Sequence, residues 1–466
     1  MGWSIISHKV LRLITNLAAL ICVIAALAVS ASTQTVMSES SDRGLAAANG
    51  PVIGVKGVES PQAAADPRRE SFEIVWRTVK DRHFDPNFGG VNWDQVKQKY
   101  LPRLDTLKTD DQFYSMLQEM LNELHESHFA IIPPEAVADE SKDADTGGIG
   151  IDLRIIDGRA VVSRVDPDST AAKAGITPGS IIESVGGAAV ADLTKRFEAV
   201  KRTETLKELR EVRAVLAHTG GKPGSAVRIT WIGAGDQMHD VSVEGAKQPG
   251  EYSEAIGNFP AQLVEFESKR IAGDIGYIRF NIFVMRPIME QVRTAIRSME
   301  GARGLIIDLR GNPGGFGGMA PGIAGMLVTE QASLGVMKMR SGFQGMVAFP
   351  QPRPFRGPVV ILMDGLSAST SEVFAAGLQE LGRAVVVGQR SAGAALPSII
   401  QKLPTGALFQ YAIADFKTPK GVLIEGRGVT PDIEVKLTRA ALLAGTDPQL
   451  DAAIEVINKR AGAHTR

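Results

Sequence analysis

The chain is 466 residues long, enough for about three domains at roughly 150 residues each, and its 51 basic and 52 acidic side chains leave a formal net charge of −1. That balance points away from nucleic acid as a partner. The single cysteine, Cys22, excludes a disulfide framework and a cysteine-ligated zinc.

At the N-terminus His8, Lys9 and Arg12 precede an apolar run over residues 17–30 that closes on Ala28-Val29-Ser30. A charged region, an apolar region and a small-residue cleavage site are the layout of an export signal over 1–30. The run falls short of the ~20 residues of a membrane span, so cleavage and a periplasmic or secreted location are expected. An uncleaved membrane anchor is the alternative. Cys22 lies inside this run, so the processed chain carries no thiol nucleophile. Residues 31–67, rich in Ser, Ala, Gly and Asp, read as a flexible linker.

A helical domain is expected over 68–140. Phe72, Val75, Trp76 and Val79 form one apolar stripe, and Phe113, Met116, Leu117, Met120, Leu121 and Leu124 form another. The domain ends in His125-Glu126-Ser127-His128 before a short strand at 129–132. Two histidines three apart are too few for a metal site without a third ligand, so no metal and no cofactor are expected.

Residues 144–246 form a separate unit. It opens with a glycine-rich lead, Gly148-Ile149-Gly150-Ile151, whose amides suit a carboxylate. The run VVSRVDPDSTAAKAGITPGSIIESVGG at 161–187 resembles a PDZ domain, with Ser180 where aspartate is common and a longer charged helical insert at 194–218. That resemblance implies that Gly148, Ile149, Gly150 and Ile151 hold the C-terminus of a polypeptide.

Residues 250–440 alternate strands and helices, the pattern of an α/β core, and 441–466 read as a C-terminal helix and tail. A buried strand at 305–309 runs into Arg310-Gly311-Asn312-Pro313-Gly314-Gly315-Phe316-Gly317-Gly318. The loop has no nucleotide fingerprint; the other use of such glycines is a main-chain amide hole for an oxyanion. Strands at 359–363 and 384–387 flank a helix at 367–381 that starts in Ser367, Ser369, Thr370 and Ser371. Hydroxyls at a strand-to-helix turn fit a nucleophile favoured by the helix N-terminus. They equally fit a cap, since Ser369 and Glu372 make the S-x-x-E capping box.

The segments D-L-R-G-N-P-G-G (308–315), S-A-S-T-S-E (367–372), L-G-R-A-V-V-V-G (381–388) and E-G-R-G-V-T-P-D-I-E-V (425–435) occur in that order. With the unit before them they resemble the carboxy-terminal processing (tail-specific) protease family. The resemblance implies a crotonase-like α/β core, polypeptide substrates and Ser369 as nucleophile. The main branch of that family pairs the serine with a lysine, but here Ala394 falls on the lysine position, and Lys402 comes eight residues later on an expected strand edge. The tricorn-like branch instead uses a serine-histidine pair and a glutamate. Ser127-His128 and Glu425 match these, and W-x-x-V-x-D-x-x-F-D at 76–85 is similar to that branch. By this resemblance His128 is the base, Glu425 and Ser127 orient it, and Gly314 or Gly315 with Thr370 form the oxyanion hole. An exported serine endopeptidase is therefore expected. Ala394 keeps a catalytically inactive peptide-binding protein as the alternative, and related cores also serve as carriers of apolar small molecules.

Overall fold

Asp66 caps the first helix, α1 (Pro67–Arg82), by accepting from Arg68 N, and Pro67 occupies its first turn. The computed structural model describes residues 66–134, 147–195, 204–221, 223–247 and 250–463. The expected export signal and nearly all of the expected linker lie outside them. Helices α2 (Trp93–Tyr100) and α3 (Asp110–Asn122) complete a small bundle with α1. The indoles of Trp76 and Trp93 each donate to the other's carbonyl, at 3.1 and 2.9 Å, which fixes α1 against α2. The apolar stripes expected on these helices are buried, but the bundle does not enclose them alone. Leu396, Leu403, Phe409 and Tyr411, from the far end of the chain, complete its core.

A short strand, β1 (Ala130–Ile132), follows the bundle. The next unit is an antiparallel sheet of β2 (Ile151–Ile156), β3 (Arg159–Val165), β4 (Ile181–Val185), β5 (Ala226–Ile232) and β6 (Met238–Glu244), in that spatial order. Helix α4 (Glu204–Leu216) lies against it and buries Leu206, Leu209, Val212 and Val215. Part of the expected helical insert, 196–203, lies outside the described residues.

The central sheet runs β7 (Phe266–Ile271), β8 (Ile275–Phe280), β9 (Gly304–Asp308), β10 (Val359–Met363), β11 (Ala384–Gly388) and a terminal strand at Ile433–Glu434. Only the β7–β8 pair is antiparallel, and helix α5 (Ile288–Ser298) connects β8 to β9. Strands β10 and β11 read as unbroken apolar runs because both sheet faces are covered. Val359, Ile361 and Met363 face one cluster with Phe374 and Leu378 of α6 (Thr370–Glu380). Val360 and Leu362 face the other, with Ala453, Val456 and Ile457 of α7 (Pro448–Ala463). The C-terminal helix expected beyond the core is thus one of its layers. It approaches so closely that a Cβ on Gly304 would sit 2.4 Å from Ile457 Cγ2.

The third sheet joins the ends of the molecule. Strand β1 pairs antiparallel with β13 (Leu408–Ala412), which pairs with β12 (Ser398–Lys402). Lys402 is the exposed last residue of this edge strand, as expected.

Because α7 is a core layer, Ile457→Ala should cost about 2–5 kcal/mol, whereas Lys459→Ala on its exposed face should stay within about 0.5 kcal/mol. Chemical denaturation of the two variants checks this.

Candidate active site

The strand-to-helix turn after β10 is held from below by one carboxylate. Asp364 Oδ1 accepts from Gly311 N at 2.9 Å and Leu366 N at 3.0 Å, and Oδ2 accepts from Arg154 Nε of β2 at 2.6 Å. Three of the four hydroxyls at this turn bond back onto the glycine loop. Ser367 donates to Leu309 O at 2.7 Å, Thr370 to Gly315 O at 2.9 Å and Ser371 to Asn312 O at 3.0 Å. Ser369 differs from them in its backbone, at φ +56° and ψ −114°. A side chain in that region carries strain of about 1–3 kcal/mol, which persists only where the surroundings impose it. The Glu372 arm of the expected capping box is formed, with Ser369 N–H donating to Glu372 Oε2 at 2.8 Å.

Two loops lie beside this turn with their backbones in contact. Gly393 (φ +68°) has no room for a side chain, because its Cβ would lie 2.9 Å from Gly428 N; a Cβ on Gly428 would lie 2.4 Å from Ser391 O. Glycine is required at both positions by this approach. The contact sets Glu425 beside the 391–395 loop, where its Oε2 accepts from Ala395 N at 2.9 Å.

Glu425 then reaches across the molecule. Its Oε1 accepts from Ser127 N at 2.8 Å and its Oε2 from Ser127 Oγ at 2.8 Å, a separation of 298 residues along the chain. Ser127 Oγ is also 2.6 Å from His128 Nδ1. The pairing of β1 with β13 delivers Ser127 and His128 to this point. His83 supports the same segment: its ring is fully buried, stacked on Phe84 and Phe129, with Nε2 3.0 Å from Glu126 Oε2.

The protons of this relay follow from its acceptors. An ionised Glu425 takes the Ser127 hydroxyl proton, so Ser127 Oγ must accept from His128, and His128 carries its proton on Nδ1. Its Nε2 is then a bare lone pair, and among the described residues it has no hydrogen-bond partner. Burial, with the Arg213 guanidinium of α4 adding to it, pushes the His128 imidazole down to about 3, so it is neutral at ordinary pH. Burial has the opposite sign on an acid and raises the Glu425 carboxyl to about 7, against three hydrogen bonds that lower it.

The structure therefore joins Ser127, His128 and Glu425 directly. It links Ser369 to them through Glu372 and the Ala394–Ala395 amides, without a hydrogen bond from Ser369 to His128 Nε2. Ala394 is fully buried in a cluster with Leu366, Ala368 and the apolar face of α4. The oxyanion donors need one correction. Gly314 N–H is engaged by Asn312 Oδ1 at 2.9 Å, because the loop folds back on its own asparagine. Gly315 stands against Phe283, whose carbonyl would lie 2.1 Å from any Cβ there. In the β-rich unit Gly148 ends a two-residue strand, Ile149 is a core residue, Gly150 takes φ +79° and Ile151 begins β2. His125 lies exposed at φ +55°.

Sequence reasoning gave Glu372 only a capping role and did not find His83, Arg213 or the Ala395 amide. The H-E-S-H run offered a signal for Glu126 and its partner. Main-chain donors carry no sequence signal.

Residues 274–435 match the family described as peptidase family S41, and residues 64–122 match the tricorn protease C1 domain. The chain is 27% identical over 391 residues to a carboxyl-terminal-processing protease of Picosynechococcus sp., covering 83% of this chain and 88% of that protein. It is 29% identical over 395 residues to tricorn protease homolog 1 of Streptomyces coelicolor, covering 83% of this chain and 34% of that one. Among solved structures, the photosystem II D1 C-terminal processing protease has the same fold, with a TM-score of 0.55 at 23% identity over 84% of this chain and 97% of that one.

Protonating Glu425 would let it donate to Ser127, turn that hydroxyl toward Nδ1 and move the histidine proton onto Nε2. Reactivity of Ser369 toward a fluorophosphonate should therefore rise with pH and reach half its maximum near 7, where Glu425 ionises. Glu425→Gln should be slower by about 100-fold or more. Labelling rates across pH 5–9 check both.

Proposed function

We propose that this chain, a member of peptidase family S41 and a serine-type peptidase, hydrolyses peptide bonds with Ser369 as nucleophile and His128 as general base. One observation carries the reading: a relay built from Glu425 and Ser127 fixes the tautomer of a buried, neutral histidine and leaves Nε2 bare. A buried nitrogen without a partner costs about 1–3 kcal/mol, and a base awaiting a proton is a use that offsets it. His128 takes the Ser369 proton as the hydroxyl attacks the peptide carbonyl, and returns it to the leaving amine. The Thr370 amide at the helix start and a main-chain amide of the glycine loop stabilise the tetrahedral oxyanion. Water then hydrolyses the acyl-enzyme by the same proton path in reverse. Closing Nε2 onto Ser369 belongs to the substrate-bound state, since hydrogen bonds of this kind tighten when substrate arrives.

In this reading the central α/β unit is a crotonase-like core and 144–246 is a PDZ-like unit. Its 148–151 loop grips a polypeptide C-terminus while cleavage occurs upstream. The protein is exported to the periplasm or beyond, through the N-terminal segment read as a signal. The absence of a lysine at position 394 is compatible with activity because the proton acceptor comes from the helical unit instead.

The test is a digest of an unstructured peptide mixture followed by mass spectrometry, comparing wild type with Ser369→Ala and His128→Ala. Wild type should cut at a fixed distance from free C-termini. Both variants should remain folded and lose at least about 10³-fold in kcat/KM. A fully active His128→Ala would sink the assignment of the base. Binding of peptide ends with no cleavage by any form would favour a retired protease that only binds.

A further inference from the structure

We propose that Glu372 is a positioning residue for this reaction: its buried carboxylate clamps the Ser369 backbone to the 391–395 loop and so sets the nucleophile in register with the Glu425–Ser127–His128 relay. The inference rests on the reading of Ser369 as nucleophile. A capping glutamate ordinarily reaches back to one amide and leaves its other oxygen in water. Glu372 is fully buried and accepts four hydrogen bonds, three of them from another part of the chain. Oε2 takes Ser369 N–H at 2.8 Å and Ala394 N–H at 3.0 Å; Oε1 takes Ser391 Oγ at 2.5 Å and Gly393 N–H at 2.8 Å.

Two features make this arrangement more than a cap. The Ser369 N–H lies on the residue with the strained backbone, so the clamp holds the conformation that aims the hydroxyl. The second feature is on the loop, where consecutive amides serve different carboxylates. Ala394 N–H goes to Glu372 and Ala395 N–H goes to Glu425. A planar peptide unit about 3.8 Å between Cα atoms therefore fixes the spacing of the two acids. Ser391 adds a second tie, since its Oγ also accepts from Val429 N at 2.6 Å, four residues beyond Glu425. All four groups facing Glu372 are donors, so only a carboxylate satisfies them together. A glutamine would turn an NH2 against two of them. Glu372 reaches neither substrate nor the migrating proton in this scheme; it acts through Ser369 and the relay.

The experiment compares wild type, Glu372→Gln, Ser391→Ala, Glu425→Gln and the Glu372→Gln/Glu425→Gln pair. Fluorophosphonate labelling at Ser369 is followed by mass spectrometry, and peptide hydrolysis is expressed per titrated site. Glu372→Gln should lower both the labelling rate and kcat by about 10–100-fold while KM stays within about twofold, the pattern of a lost transition-state geometry. Ser391→Ala, which keeps the Ser369 and Ala394 arms, should lose about 3–10-fold. The double variant should lose less than the product of the single losses, because both act on one relay. If Glu372→Gln does not fold, the Ser391→Ala result decides. Labelled wild type with Glu372→Gln reacting at the same rate per titrated site would overturn the clamp alone. Wild type unlabelled at Ser369 would overturn the nucleophile and the clamp together.

Discussion

A carboxylate removed from water must be met by donors, and this molecule meets two of them mainly with its own backbone. Glu372 and Glu425 together accept seven hydrogen bonds, five from main-chain amides and two from serine hydroxyls. All but the Ser369 bond tie a side chain to a loop that is remote in sequence, so satisfying the two charges also assembles the site. Removing either acid would leave several buried N–H groups without acceptors, which is far more disruptive than losing one exposed ion pair. The raised pKa of both acids, about 7, measures what burial costs even with those bonds in place.

The three units meet at these loops. The helical bundle supplies Ser127 and His128 and cannot close its own core without Phe409 and Tyr411. The β-rich unit sets α4 against Leu366, Ala368, Ala392 and Ala394, and Arg154 reaches across to Asp364 at the foot of the Ser369 turn. The central sheet supplies the rigid strand from which that turn springs. Ala394 does two things here: its methyl fills the apolar contact with α4 and its amide serves Glu372. Neither needs a longer side chain.

The strands and helices of the core were legible because their physics is local. Residues 359–363 form a strand with the expected ends, since a sheet buried on both faces selects unbroken apolar runs. Helix boundaries shifted where tertiary bonds intervened. The helix expected from 367 begins at Thr370, because Ser367 is drawn to Leu309 O and Ser369 is held out of helical geometry. The tail beyond 440 proved to be a core layer, because an amphipathic helix gives no sign of which surface it covers.

By itself the sequence determined the order of elements, the glycines that permit close approach, and the four motifs that resemble the carboxy-terminal processing protease family. It also determined the chemical inventory: a single cysteine, no lysine at 394, few histidines. Only the tertiary structure decided how these groups meet. It brought Ser127 to Glu425 across 298 residues, occupied the Gly314 amide with Asn312, and left His128 Nε2 without a hydrogen-bond partner among the described residues. The reason is that main-chain donors look alike at every residue, so which amide serves which acid is set by the packing of loops and not by the identity of the side chains they carry.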